Sequence, residues 1–232
     1  VTVGLRLEEP LRQGAERPEL VLIWTTTPWT LPSNLAIAVG PDVEYVTVHV
    51  DEDLDSPVAG QDVVIAKDLL GSYARELGED PQVLAACTGA DLVGRRYHPI
   101  FDYFDDAAHR AEGAAPGPKA WQIIAADFVT TSDGTGLVHM ASAFGEDDMI
   151  ACSEAGIETV VPVDDGGCLT EEIRDYAGLQ VFEANKPIVA DLRDGTGPLA
   201  RRDESRRAVL VRQASYVHSY PHCWRCRKPL MY

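Results

Sequence analysis

The chain has 232 residues, 45% of them hydrophobic and 25% charged, which is the composition of a globular protein able to bury one sizeable core. It has no apolar run near the ~18 residues that a membrane span needs, so no membrane partner is expected, and its net charge of −17 argues against holding nucleic acid through overall charge. Five cysteines without regular spacing exclude a disulfide framework and indicate a reducing, cytoplasmic setting.

Hydrophobic runs and turn residues predict a mixed, strand-dominated domain. Strands are expected at residues 1–7, 19–27, 35–39, 45–50, 63–66, 121–131 and 137–140, with a further β-rich run at 207–220. Apolar spacing predicts helices at 69–77 and 146–155, each followed by a glycine. The acidic segment 51–62 and the Pro/Gly-rich segment 105–119 are expected to be surface loops. The fold class is therefore β-rich α+β.

Three consecutive threonines, Thr25, Thr26 and Thr27, follow an apolar, strand-forming run. Pro28 has no amide hydrogen and favours an extended Thr27, so the strand is expected to stop where the hydroxyls begin. Alternation places the side chains of Thr25 and Thr27 on one side and that of Thr26 on the other. Threonine is also an ordinary strand residue whose hydroxyl is often satisfied locally, so these residues alone do not identify a site.

A second polar stretch begins in the short predicted strand 137–140. His139 lies near the end of this strand, and Glu146, Asp147 and Asp148 lie at the start of the next helix. Acidic residues are favoured in a first helical turn by free amides and by the helix dipole, and a single histidine at a strand end is commonly structural. Taken alone, this stretch is therefore compatible with a structural role.

Together the two stretches closely resemble the editing domain (connective peptide 1, CP1) of isoleucyl-tRNA synthetases. The matching segments are WTTTPWTLPSNLAIAV and, further along the chain, GTGLVHMASAFGEDD. Other matches run nearly from end to end: GRRYHPIFDYF, ADFVTTSDGTG, PVDDGGCLT, EANKPI and YPHCWRCRKPLMY. The related valyl and leucyl types look more like Thr-Thr-Arg-Pro at the threonine run. The family usually has proline where this chain has Ser142.

The resemblance implies a barrel-like domain of the valyl, isoleucyl and leucyl editing type with peripheral helices over residues 1–215. Residues 216–232 would form a C-terminal strand and a Cys-x-x-Cys segment leading back to a Rossmann catalytic body. We therefore expect the chain to be part of a longer protein, whose body would use ATP and Mg²⁺.

The implied activity is hydrolysis of aminoacyl-tRNA esters, which removes valine wrongly attached to the isoleucine tRNA. Valyl-adenylate is a second candidate substrate. Isoleucyl-tRNA synthetase is itself the known example of this selection problem, because one methylene gives only ~1–3 kcal/mol of discrimination and a second, hydrolytic site must supply the rest. The implied partners are the acceptor end of the isoleucine tRNA carrying valine and the rest of the synthetase chain.

The resemblance also implies roles for individual residues. Asp148 matches the residue that anchors the α-ammonium of the substrate. Thr25, Thr26 and Thr27 would contact the ester and the adenosine and place the attacking water, and Asn34 matches a pocket residue implicated in hydrolysis. No Ser-His-Asp or Cys-His arrangement is legible in the sequence, which suits an ester that needs a positioned water rather than a protein nucleophile. The terminal ribose hydroxyl of the tRNA is implied to help activate that water.

Two further positions are implied to bind the substrate. His139 matches the group that limits the side-chain pocket and excludes isoleucine. Trp29, within the threonine motif, is assigned to substrate binding as well.

The charges are unevenly distributed along the chain. From position 193 onward nine Lys/Arg face three Asp/Glu, whereas the rest of the chain is strongly acidic. A run of charges is commonly only a solvated face. If RNA is a partner, however, its backbone should meet this C-terminal part.

Cys223 and Cys226 form a single Cys-x-x-Cys, which supplies only two of the four ligands of a structural zinc. His218 and His222 lie nearby in the sequence, but a site made from these four residues alone would be cramped. The resemblance implies that the other two cysteines lie upstream in the catalytic body. Zinc-free thiols are therefore expected in this chain and zinc only in the parent enzyme, with no other cofactor.

Two alternatives remain open from the sequence. The chain could be a non-catalytic tRNA-binding module with a vestigial pocket, or an editing domain of the valyl or leucyl type. Hydrolysis of a panel of mischarged tRNAs discriminates among the three.

Overall fold

The computed structural model of the protein describes residues 1–215, 222–225 and 227. Its strands are β1 (Thr2–Arg6), β2 (Leu20–Trp24), β3 (Ala36–Val39), β4 (Glu44–His49), β5 (Asp62–Ala66), β6 (Gln82–Thr88), β7 (Gln122–Ala125), β8 (Leu137–Met140) and β9 (Val209–Arg212). Its α-helices are α1 (Ala74–Leu77), α2 (Gly89–Leu92), α3 (Glu146–Glu154) and α4 (Val181–Asp194). Short 3₁₀ helices cover Pro28–Ser33, Lys67–Tyr73, Glu171–Ile173, Gly197–Arg201 and Glu204–Arg206. In this part of the chain no helix is both long and apolar enough to cross a membrane.

The nine strands form one mixed sheet, in which seven follow the order β6-β4-β5-β2-β8-β3-β7. Strand β2 is the branch point of the sheet. One of its edges pairs with antiparallel β1, and its other edge pairs in parallel with β5 near its start and with β8 at its end. Strand β1 also pairs with β9. The sheet forms a half-barrel with a few helices, which confirms the predicted β-rich, barrel-like fold.

The order of three of these strands brings the polar stretches of the sequence together. Because β2 and β8 are parallel and Trp24 pairs with Val138, the segments that follow both strands emerge at the same edge of the sheet. Strand β3 is antiparallel to β8, with Ile37 opposite His139, so the residues that precede β3 lie at that edge as well. The sheet therefore gathers the threonines, Asn34 and the segment after His139.

Most predicted strands are confirmed with small changes in their bounds. The strand predicted at 19–27 ends at Trp24, so the threonines lie outside it. The extent predicted for strand 121–131 is wrong, because the Val129 amide bonds back to the Ala126 carbonyl (3.3 Å) and closes a turn soon after β7 ends.

Two other local predictions differ from the structure. The segment predicted as a helix at 69–77 is a 3₁₀ helix that passes into the single-turn α1. Strand β6 was not predicted, since its central residues include two alanines, which favour strands poorly, and its side chains are largely exposed or half-buried. It forms through pairing with β4, a long-range contact that the local sequence does not encode. The domain division at residue 215 stays a prediction, because most of 216–232 lies outside the described residues.

Candidate functional site

The threonine run forms a tight turn directly after β2. The hydroxyl of Thr25 accepts a hydrogen bond from the Thr27 amide (3.1 Å) and lies 3.2 Å from the Thr27 hydroxyl. Thr25 is buried, Thr27 is half-buried and Thr26 is exposed. The predicted alternation of these side chains is therefore present, although they lie outside the strand.

The 3₁₀ helix Pro28–Ser33 adds a hydroxyl that the sequence analysis did not single out. The Thr30 hydroxyl donates to the Thr27 carbonyl (2.8 Å) and lies 3.4 Å from the Thr27 hydroxyl. The same oxygen lies 2.9 Å from Nε2 of His139. Thr30 thus joins the threonine turn to β8. In the sequence, Thr30 could have been found as a site residue because it belongs to the same threonine-rich segment.

Asn34 determines which nitrogen of His139 carries the proton. The Asn34 amide group donates to the Ala36 carbonyl (3.0 Å) and to Nδ1 of His139 (2.8 Å), while the Tyr97 hydroxyl donates to the Asn34 side-chain oxygen (2.8 Å). Turning the amide over would place two oxygens against each other at Ala36, so its orientation is determined. Nδ1 is therefore an acceptor, and Nε2–H donates to Thr30.

Burial lowers the pKa of His139 to about 3. The side chain is only 7% exposed, and a proton on Nδ1 would point at the amide hydrogens of Asn34. His139 is therefore neutral at physiological pH. Since both ring nitrogens are already engaged, the imidazole contributes shape and hydrogen bonds rather than proton transfer.

Replacing Thr30 by valine should lower the free energy of unfolding by about 1–3 kcal/mol, because the buried Nε2–H of His139 would lose its acceptor. Valine keeps the branched shape of threonine, so packing should be retained. Urea denaturation measures the change, with Thr130→Val as the control because Thr130 is exposed. Equal effects of the two substitutions would contradict the assigned hydrogen bond.

Asp148 lies in the first turn of α3, and one of its carboxylate oxygens accepts the Ala141 amide (2.8 Å). Burial raises the pKa of Asp148 to about 6, the Ala141 hydrogen bond opposes this change, and the charge of Asp147 adds to it. In the part of the chain that the structure describes, its second oxygen has no hydrogen-bond partner. This oxygen lies 3.2 Å from where a β-carbon on Gly145 would sit, so glycine leaves it room. The carboxylate is thus oriented and able to accept a cation.

A cavity of about 730 Å³ opens beside Thr25 and Thr26, a size typical of small-molecule sites. Other parts of its wall come from the 3₁₀ helix Lys67–Tyr73 and from α4. The α4 residue Asn185 lines the cavity and accepts the backbone amide of Trp29 (2.9 Å), which ties α4 to the threonine segment. Asn185 was not predicted as a site residue, although it belongs to the EANKPI segment.

The predicted site residues are related in two ways, by hydrogen bonds to one another and by their position at the cavity wall. Four of them, with Thr30, form one hydrogen-bonded chain: Thr25, Thr27, Asn34 and His139. Thr25 and Thr26 line the cavity. The other predicted site residues do not line it: Thr27, Trp29, Asn34, His139 and Asp148.

Trp29 is buried, with its ring edge-on to Phe144 at 4.6 Å between centroids. Among the described residues, neither its indole nitrogen nor the buried hydroxyl of Ser142 has a hydrogen-bond partner. Trp29 therefore supports the threonine segment by packing, and its contact with substrate stays a prediction.

The metal prediction falls mainly outside the described residues. Cys223 is half-buried, but Cys226 and His218 are not among the residues that the structure describes. Within residues 1–215, 222–225 and 227, no cluster of three or more His, Cys, Asp or Glu side chains could hold a metal ion. The zinc half-site stays a prediction.

Comparison with curated proteins finds relatives named isoleucine–tRNA ligase. The chain is 49% identical over 211 residues to the protein from Bifidobacterium longum (strain NCC 2705), a match covering 91% of this chain and 19% of that protein. It is 47% identical over 236 residues to the protein from Mycobacterium leprae (strain TN), covering 100% of this chain and 20% of that protein. The chain thus spans about one fifth of the length of these curated relatives. No protein-family model matches it.

Among solved structures, the chain is similar to the crystal structure of GlLeuRS-CP1, with a TM-score of 0.59 at 10% identity, over 93% of this chain and 100% of that one. It is also similar to the editing domain of the P. falciparum cytosolic leucyl-tRNA synthetase, with a TM-score of 0.56 at 11% identity, over 76% of this chain and 77% of that one. At such low identity the likeness shows the fold alone, and this fold is the predicted one.

Proposed function

The chain belongs to the isoleucine–tRNA ligase family and has the fold of a CP1 editing domain, and from this premise we propose that it hydrolyses aminoacyl esters of tRNA. The proposed substrate is valine wrongly attached to the isoleucine tRNA, with valyl-adenylate as a second candidate. In this proposal the rest of the longer protein charges the tRNA with ATP and Mg²⁺, and the whole works in the cytoplasm.

The observation that carries the proposal is the hydroxyl-lined cavity. Thr25 and Thr26 line it, and Thr25 begins the hydrogen-bonded chain that reaches His139 and Asn34. An aminoacyl ester is already reactive, so its site needs to hold it, admit water and stabilise negative charge on the carbonyl oxygen. Hydroxyls that are oriented by their neighbours can donate to an ester oxygen or accept from a water, without a protein nucleophile.

The α-ammonium of the ester requires a fixed anion, for which Asp148 is the candidate. Its carboxylate is oriented by the Ala141 amide, and one oxygen is left for a charge-assisted contact. Asp148 and the threonines follow β8 and β2, which are neighbours in the sheet. This placement supports a substrate that contacts both segments.

The decisive experiment incubates the chain with a panel of charged tRNAs. Valine should be released from the isoleucine tRNA at least ~10-fold faster than isoleucine from the same tRNA, because a pocket that separates one methylene gives about this discrimination. Preferred release of threonine from the valine tRNA would instead assign the valyl type. RNA binding without release of any amino acid would assign a non-catalytic module.

Hydrolysis should depend on pH through Asp148. Its pKa of about 6 predicts that the rate falls about tenfold per pH unit below pH ~6, as the anchoring anion is protonated. The raised pKa also means that the folded state binds this proton more tightly than the unfolded chain. The contribution of Asp148 to stability therefore decreases as pH rises from about 4 to about 6. Rates corrected for uncatalysed hydrolysis check the assignment. The control Asp147→Asn should keep an inflection that lies at slightly lower pH, because it removes the charge that adds to the raised pKa of Asp148.

A further inference from the structure

A groove of about 1040 Å³ on the domain surface is lined by five arginines, although the protein as a whole carries a net charge of −17. The arginines are Arg6, Arg17, Arg193, Arg206 and Arg207. They come from distant parts of the sequence and meet because β1 pairs with β9. The groove is therefore a basic surface that tertiary structure assembles.

Ion pairing distinguishes two of these arginines, Arg17 and Arg206, from several other basic residues of the chain. Arg201 pairs with Asp175, Arg202 with Asp105, and Arg212 with Glu76. Across the described residues, by contrast, neither Arg206 nor Arg17 takes part in an ion pair. Both side chains are exposed. The basic run noted in the sequence is thus only partly available to bind an anion.

Two of the groove arginines lie close enough to repel each other. Arg6 donates to the Pro18 carbonyl (2.7 Å) and to the Gln61 side-chain oxygen (2.9 Å), both of which are neutral. Burial, and next the charge of Arg17, lower the pKa of Arg6, while the smaller effects of the acids Glu19 and Asp62 oppose this. An anion in the groove would relieve this repulsion.

The acids of the groove compensate only part of the charge. Asp194 pairs with Arg193, and one oxygen of Asp203 accepts both the amide and the hydroxyl of Ser205. Glu204 is the remaining acid among the lining residues. Three acids therefore face five arginines.

The groove lies next to the cavity beside the threonines, because Arg193 lines both. We propose that the groove binds the phosphate backbone of an RNA strand whose aminoacylated end occupies the cavity. The proposal rests on the proposed function. It places the backbone of the substrate along Arg193, Arg206 and Arg17, on the side of α4 where that helix ends.

The test compares two double variants that change the net charge equally. Arg17→Gln/Arg206→Gln removes the two unpaired groove arginines, and Arg75→Gln/Arg95→Gln removes two arginines that do not line the groove. Binding of a fluorescent RNA minihelix with a single-stranded 3′ end is measured across a range of salt concentrations. The groove variant should bind about tenfold more weakly at low salt, and its slope of log affinity against log salt should flatten by about 1 to 2. The control should keep the wild-type slope.

Equal slopes in the two double variants, or no binding of the minihelix by the wild type, would overturn the groove assignment. Hydrolysis of valyl-adenosine by the wild type is measured in parallel, because this ester has no phosphate backbone. Failure to hydrolyse it would count against the proposed function, while the RNA measurements would still decide the groove. Melting temperatures of all variants verify that the fold is retained.

Discussion

Replacing Asp148 by asparagine is expected to lower the hydrolysis of valyl-tRNA about 100-fold or more at neutral pH while the fold stays intact. An ammonium without its counter-ion in a partly desolvated site loses several kcal/mol, and each ~1.4 kcal/mol is a tenfold effect. Asparagine can still accept the Ala141 amide that now bonds to the carboxylate. The burial that raises the pKa of Asp148 shows that its charge is costly to the fold, so the variant should be at least as stable as the wild type at neutral pH.

The matched control for this variant is Asp147→Asn, which removes the adjacent, exposed carboxylate from the same helical turn. It should retain most of the activity. Initial rates of deacylation and urea denaturation of all three proteins decide the outcome. An Asp148→Asn protein with normal circular dichroism and near-normal hydrolysis would refute the proposed anchor. Asp148→Ala serves as a second variant and should be equally inactive.

Replacing His139 by alanine is expected to let isoleucine enter the site, so that the ratio of hydrolysis rates for valyl-tRNA and isoleucyl-tRNA falls about tenfold or more. An imidazole is larger than one methylene, and exclusion by shape is the main means of separating two aliphatic side chains. The structure also predicts a cost in stability, because Thr30 and Asn34 would each lose a buried partner. The ratio of the two hydrolysis rates therefore tests the selective role of His139, and the melting temperature of the variant measures the cost in stability separately.

Thr30→Val is the control for the role of His139, since it removes one hydrogen bond of the ring but leaves the imidazole in place. If His139 excludes isoleucine by its shape, only His139→Ala should change the ratio. If the two variants lower both rates together and leave the ratio unchanged, His139 is a structural residue and the selective role is wrong.

The sequence by itself determined the kind of fold and the local features that depend on neighbouring residues. Apolar runs bounded by proline and glycine placed most strands to within a few residues, since these signals act along a few consecutive peptide units. The alternation of Thr25, Thr26 and Thr27 was predicted on the same basis and is present in the structure. The motifs also identified the family, because they record the residues that its site requires.

Only the tertiary structure decided how these residues act on one another. Asn34 and His139 are 105 positions apart, and their hydrogen bond exists because β3 lies beside β8. Burial lowers the pKa of the imidazole and keeps it neutral, and the contact with Asn34 determines which nitrogen carries the proton, whereas the sequence left both undetermined. The pairing of β1 with β9 likewise brought Arg17 and Arg206 to one groove, while other arginines form ion pairs with carboxylates. Burial, protonation and ion pairing depend on which strands become neighbours, and residue periodicity does not encode that choice.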